Sequence, residues 1–253
     1  MNLRVCLNVL ISGLVCLLAT SCLGSDSSDG NDQSMDGTFP TLGTVDYNPL
    51  HQLQVESDTY GTLLPINAQR FIEQKADTAG QRVLVSVKFV DNATPPASAE
   101  GAHKVDVAFV QKVLTKDADD LRVAGTSDVF GHSGIEITSA GISRYHLNIQ
   151  YSIYGGNPPA RAHRISLVLD EHTSFDAEGN LRVSLRHNAE GDAEMIAYWG
   201  VVSFNLFSIP EWRDKRFKGF SISYEGSNSP WIVRQGEPAE ARIIPRPIDV
   251  SMD

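Results

Sequence analysis

The signal that most constrains this chain is apolar side chains alternating with polar ones at a period of two. Val83, Val85, Val87 and Phe89 fall on one side of an extended segment, with Ser86 and Lys88 on the other. Val105, Val107 and Phe109 alternate with Asp106 and Ala108. Tyr145, Leu147, Ile149, Tyr151 and Ile153 alternate with His146, Asn148, Gln150 and Ser152. Leu181, Val183 and Leu185 alternate with Arg182, Ser184 and Arg186, and Phe220, Ile222 and Tyr224 with Ser221 and Ser223. Successive strand side chains point to opposite faces, so the pattern calls for half-buried antiparallel sheet. Turn-forming clusters separate the runs: Asp91-Asn92 with Pro95-Pro96, Gly155 to Pro159, Glu178-Gly179-Asn180, and Gly191-Asp192. Helical patterning is confined to two short stretches, Ala68–Ala76 and Pro210–Arg216. The class is therefore all-β.

Strand spacing divides the chain near Lys116–Asp120, read as an acidic linker. Residues 40–117 hold five predicted strands, near 42–48, 50–57, 59–66, 82–90 and 104–115, with a short helix between the third and fourth. That count and order predict a small five-stranded OB-like barrel. Residues 118–253 hold six or seven more, including 134–143, 144–155, 161–171, 181–188, 200–208 and 218–225. They predict an antiparallel β-sandwich.

The first 21 residues obey different rules. Arg4 is their only charged side chain, followed by an apolar run from Val5 to Ala19. That is shorter than the roughly 20 residues a spanning helix needs, and it matches a signal-peptide core. Leu18-Ala19-Thr20-Ser21-Cys22 resembles a bacterial lipobox, with Ala19 where Leu is usual. The resemblance implies cleavage before Cys22 and acylation of its sulfur. All three cysteines, Cys6, Cys16 and Cys22, lie here, so the exported chain has no disulfide. Residues 22–39 are rich in Ser, Asp and Gly and read as a lipidated flexible tether. Its acidic residues resemble the surface-export signals of Bacteroidetes lipoproteins. The expected address is the cell envelope, lipid-anchored in the outer membrane on its periplasmic or surface face.

Several segments together resemble the NigD-like lipoproteins of Bacteroidetes. In the first half they are Gly80 to Val85 (GQRVLV) and Val110 to Lys116 (VQKVLTK). In the second they are Leu147 to Tyr151 (LNIQY), Leu167 to His172 (LVLDEH), Val183 to Asp192 (VSLRHNAEGD) and Gly200 to Leu206 (GVVSFNL). The resemblance implies an N-terminal OB-like domain followed by a C-terminal β-sandwich. It also implies a role in bacteriocin immunity, suggested for the family from gene neighbourhood. No catalytic residue comes with it.

Residue chemistry agrees with a non-enzyme. No HExxH or HxH spacing, G-x-S-x-G elbow, P-loop or dinucleotide fingerprint occurs. Asp170-Glu171-His172 with His187 and Asp192 is the nearest approach to a metal set, because a 161–171/181–188 hairpin brings His172 and His187 near each other. His187 is also in phase with its strand's apolar side, which reads as a hydrogen-bonded rim residue, so no metal or other cofactor is expected. Asp176 to Asn180 offers oxygens around a turn, but a Gly-Asn hairpin accounts for them without calcium. The excess of 31 acidic over 21 basic residues, a net charge of −10, excludes nucleic acid as the expected partner.

Binding remains. Tyr154 lies on the polar phase of its strand beside the Gly155–Pro159 loop, which contains Asn157. Trp199, Trp212 and Trp231 are read as capping the sandwich core, with Trp231 retained as a surface candidate. Candidate binding residues are thus Tyr154, Asn157, His172, His187 and Trp231, with Cys22 for lipid. The expectation is an envelope lipoprotein that binds an envelope protein or secreted peptide; a glycan is the alternative ligand.

Overall fold

The computed structural model describes residues 37–91, 94–96, 100–124 and 128–236. The expected signal peptide, the lipobox-like Leu18–Cys22 segment and most of the expected tether lie outside the described residues. The first five strands are β1 (Phe39–Tyr47), β2 (Leu53–Ser57), β3 (Gly61–Pro65), β4 (Arg82–Phe89) and β5 (Ala102–Lys112). They close into a barrel in the order β1-β2-β3-β5-β4, with β4 returning to β1. Helix α1 (Gln69–Glu73) stands between β3 and β4 and plugs the barrel with Phe71. This is the expected OB-like arrangement. The second strand starts at Leu53 because the carboxamide of Asn48 accepts from the amides of Leu50 and Gln52, folding 48–52 into a turn.

β1 serves two neighbours, pairing through 39–44 with β4 and through 43–47 with β2. Gly43 stands where both pairings overlap; a Cβ there would meet Val55 Cγ1 at 2.5 Å and Glu56 O at 2.9 Å. Only glycine lets the strands approach so closely.

The sandwich contains β6 (Leu114–Asp117), β7 (Asp119–Asp120), β8 (Ile135–Ile142), β9 (His146–Gly155) and β10 (Arg164–Leu169). It continues with β11 (Asn180–Asn188), β12 (Ile196–Asn205), β13 (Gly219–Tyr224) and β14 (Trp231–Arg234). One sheet has the order β14-β13-β11-β10-β7, the other β6-β12-β9-β8. The alternating residues of both meet in one core of Ile137, Leu147, Ile149, Ile153, Leu167, Leu185, Phe204 and Phe220 among others. A short helix, α2 (Leu121–Ala124), follows β7.

Two features depart from expectation. The Lys116–Asp120 stretch is woven into the sandwich: β6 pairs with β12, β7 with β10, and the chain crosses between sheets at Ala118. Polar atoms of the stretch find partners there, Lys116 Nζ donating to Ile165 O and Ala118 N donating to Ser208 Oγ at 2.8 Å. The sandwich is also mixed. Hairpin pairings such as β10–β11 and β8–β9 are antiparallel, while β6–β12, β7–β10 and β11–β13 are parallel. Crossovers between the two sheets impose that direction.

Barrel and sandwich are packed directly together. Leu42, Leu84 and Val113 are buried against Phe109 and the sandwich residue Val201. This explains why β4 is buried on both faces through Val87, not on alternate positions only. At the centre of the junction the guanidinium of Arg82, 1% exposed, donates to both carboxylate oxygens of Asp58 and to Thr44 Oγ1. It also donates to Asn148 Oδ1 of β9, which accepts in addition from Ser203 Oγ of β12. Burying a cation is costly unless it is paired and hydrogen-bonded, and here it is both.

Candidate binding surface

The β10–β11 register sets Ile165 opposite His187. His163, two residues earlier on the same inward phase, therefore lies diagonally beside His187. The two rings are hydrogen-bonded, His163 Nδ1 to His187 Nε2 at 2.8 Å, and both residues are 1% exposed. His187 Nδ1 lies 2.8 Å from Gly134 O, and His163 Nε2 lies 3.1 Å from Asp192 Oδ2. Burial pushes the His187 imidazole down to about 4, with the His163 ring adding to the effect, so it is neutral at pH 7.

Asp192 carries this buried chain up to a loop. Its Oδ2 accepts from Gly156 N at 2.7 Å and its Oδ1 from Ala160 N at 3.1 Å. The Gly156 amide first, then the His163 ring, hold its carboxyl well below the ordinary range. Gly156 permits the approach: a Cβ there would stand 2.9 Å from Asp192 Oδ1. The hydroxyl of buried Tyr198 donates to Gly156 O. Residues 156–160, including the cis Asn157–Pro158 peptide, are thus clamped at both ends from beneath.

Above this lock lies an exposed aromatic face. Tyr154 is 56% exposed, Trp199 42% and Met195 66%. In the β9–β12 ladder Ser152 faces Trp199 and Tyr154 faces Ala197, so both aromatic rings stand on the same outer face as diagonal neighbours. Asn157 is exposed at the adjoining loop, and Met195 N donates to Gly155 O. The barrel covers the same face at Val201, leaving this end of the sheet open.

The structure separates the sequence candidates. Tyr154 and Asn157 come together at this end. His187 is not on the surface; its position on the inner phase of β11 buries it in the lock below. Trp231 sits opposite Ile222 and packs half-buried against the sandwich core. Trp199, read as core, is exposed because it holds the outer phase of β12. His172 lies elsewhere, exposed beyond β10 in a groove of about 680 Å³ that Phe130, His132 and Arg186 also line. His172 and His187 do not meet, since one follows the strand end and the other points inward. Among the described residues no group of three or more His, Cys, Asp or Glu is placed to hold a metal ion. At the 176–180 turn Asp176 Oδ1 accepts from the amides of Glu178 and Asn180, a hydrogen-bonded hairpin turn. His163 was the missed residue; its signal was the inward phase it shares with Ile165.

The architecture defines a class: a two-part all-β protein, an OB-like barrel joined to a β-sandwich. Residues 118–227 match the NigD-like C-terminal beta sandwich domain, so the chain's resemblance to NigD-like proteins holds over its sandwich. No curated protein matches the chain. Among solved structures, a protein of Parabacteroides distasonis provisionally described as toxin-related is 20% identical, with 77% of this chain and 90% of that chain covered, at a TM-score of 0.57. One provisionally described as a lipoprotein of Bacteroides fragilis is 11% identical, covering 79% and 100%, at 0.58. A NigD-like immunity protein of Bacteroides caccae is 14% identical, covering 77% and 90%, at 0.50. At these identities the likeness is one of fold.

Proposed function

We propose that this is a non-enzymatic lipoprotein of the cell envelope that binds a protein or peptide partner, in the manner of an immunity protein. The observation that carries the reading is the exposed Tyr154–Trp199–Met195 face beside the clamped Asn157 loop. Aromatic side chains on a fixed backbone supply large contact area with little entropy lost on binding. The lipobox at Cys22 supports outer-membrane anchoring, and the provisional lipoprotein name of a structural neighbour supports an envelope address. The immunity name of another neighbour supports the immunity-like reading.

The test is affinity capture from crosslinked intact cells, using the lipidated protein and a Cys22→Ala control. A partner captured by the lipidated form, and lost in Tyr154→Ala/Trp199→Ala, supports the reading; an empty tether-dependent set contradicts it. A second reading is favoured by the same paired rings, which suit stacking on a glycan. Saturable polysaccharide binding with no protein captured would favour it instead.

A further inference from the structure

A second exposed cluster occupies a different part of the sandwich. Arg144 and Tyr145 form the turn between β8 and β9, and Phe207 lies in the single turn Leu206–Ser208 after β12. Trp212 and Arg213 lie in the following turn, Pro210–Arg213. The two loops are tied by Leu206 N donating to Tyr145 O at 2.9 Å. The Tyr145 and Phe207 rings are 5.2 Å apart, and Phe207 meets Trp212 edge-on at 5.1 Å. Arg144 stands 4.9 Å over Tyr145, and Arg213 stands 5.2 Å over Phe207 and 5.9 Å from Trp212. Tyr145 is 38% and Phe207 51% exposed, while Trp212 packs half-buried against the core and roots the ladder.

Acidic residues outnumber basic ones by 31 to 21, yet neither Arg144 nor Arg213 has a carboxylate partner among the described residues. The acids beside Arg213 are already engaged, Glu211 by Arg122 and Asp214 by Arg216. An arginine resting on an aromatic ring is pre-organised and keeps in-plane donors for a carboxylate. Arginine with Tyr and Trp is also the side-chain set that dominates protein interfaces.

We propose that this aromatic–arginine ladder is an interaction surface for an acidic segment of a partner protein, separate from the Tyr154–Trp199 face. An anionic lipid surface is the less favoured occupant, because headgroup attraction draws on clusters of roughly four to eight basic residues and the ladder presents two.

The experiment measures binding of a labelled glutamate–serine peptide to the purified full chain, with a lysine–serine peptide and phosphatidylglycerol vesicles as controls. The expected result is saturable, salt-sensitive binding of the glutamate peptide, weakened about tenfold in Arg144→Gln/Arg213→Gln. Phe207→Ala weakens it too, with melting unchanged, whereas Tyr154→Ala/Trp199→Ala does not. The proposal is overturned if the glutamate peptide fails to bind, if the double arginine variant binds it equally, or if vesicles alone are bound. Because the Tyr154 and Trp199 variants separate the two faces, either surface can fail without the other.

Discussion

Arg82 of the barrel and Asn148 of the sandwich are joined by a hydrogen bond of 2.9 Å from guanidinium Nη2 to carboxamide Oδ1. The same guanidinium is forked onto Asp58 of the barrel, so Asn148 of the sandwich meets a charge pair whose arginine is fully buried. Removing one member of such a pair leaves the other charge buried and uncompensated. Arg82→Ala is therefore expected to lower stability by about 3–5 kcal/mol. Urea denaturation checks this; a loss below about 1 kcal/mol would place the junction's stability in its apolar contacts instead.

Two histidines make the protein acid-sensitive. Burial first, then the nearby Arg82 charge, pushes His146 down to about 4, and burial pushes His187 to about 4. An unfolded histidine titrates near ~6.5, so the unfolded chain binds more protons between those values. This contribution to stability is present above pH ~6.5 and is lost as pH falls through about 4. Denaturation across that window should report uptake of about two protons on unfolding, and about one in His146→Asn.

Asp192 acts in the same direction at lower pH. Its carboxyl is depressed by the Gly156 amide and then His163, so its contribution is present above the unfolded value of ~3.9 and is lost as pH falls below it. Asp192→Asn should flatten the acid limb of the stability curve. It should also speed hydrogen exchange at the Gly156 and Ala160 amides, which the carboxylate now holds. Unchanged exchange at both amides would remove the clamp from the account.

Tyr151 presents the opposite case, a fully buried hydroxyl without a hydrogen-bond partner among the described residues, its ionisation pushed upward by burial. A buried unsatisfied polar group costs about 1–3 kcal/mol. Tyr151→Phe keeps the ring and removes the cost, so it should be neutral or stabilising by about 1 kcal/mol in thermal or urea melts. A clear destabilisation would mean the hydroxyl has a partner after all.

Much of the fold was legible because period-two alternation reports strand faces directly. Val83 to Phe89 and Leu147 to Ile153 lie on the inner phases that this rule gives, whereas Tyr145, which the same pattern includes, is exposed in the turn before β9. It failed where a second layer covers the outer face. Arg82 and Ser86 look solvent-facing in sequence but are both buried, Arg82 against Asn148 of the sandwich, and no local pattern announces that contact. It also failed at Lys116–Asp120, whose charges suggested a linker although partners in both sheets satisfy them. The site was half visible. Tyr154 could be found from its phase, and so could Trp199, had phase outweighed the preference of tryptophan for cores. The His163–Asp192 contact needed the hairpin register and the loop path, which sequence does not contain.

On the proposed reading the Tyr154–Asn157–Trp199 face meets a partner in the envelope. The most direct measurement places a photocrosslinking amino acid at Asn157, or at His172 as a control, in intact cells. A discrete protein adduct is expected from position 157 and none from position 172. Adducts from neither position, or equally from both, would contradict it.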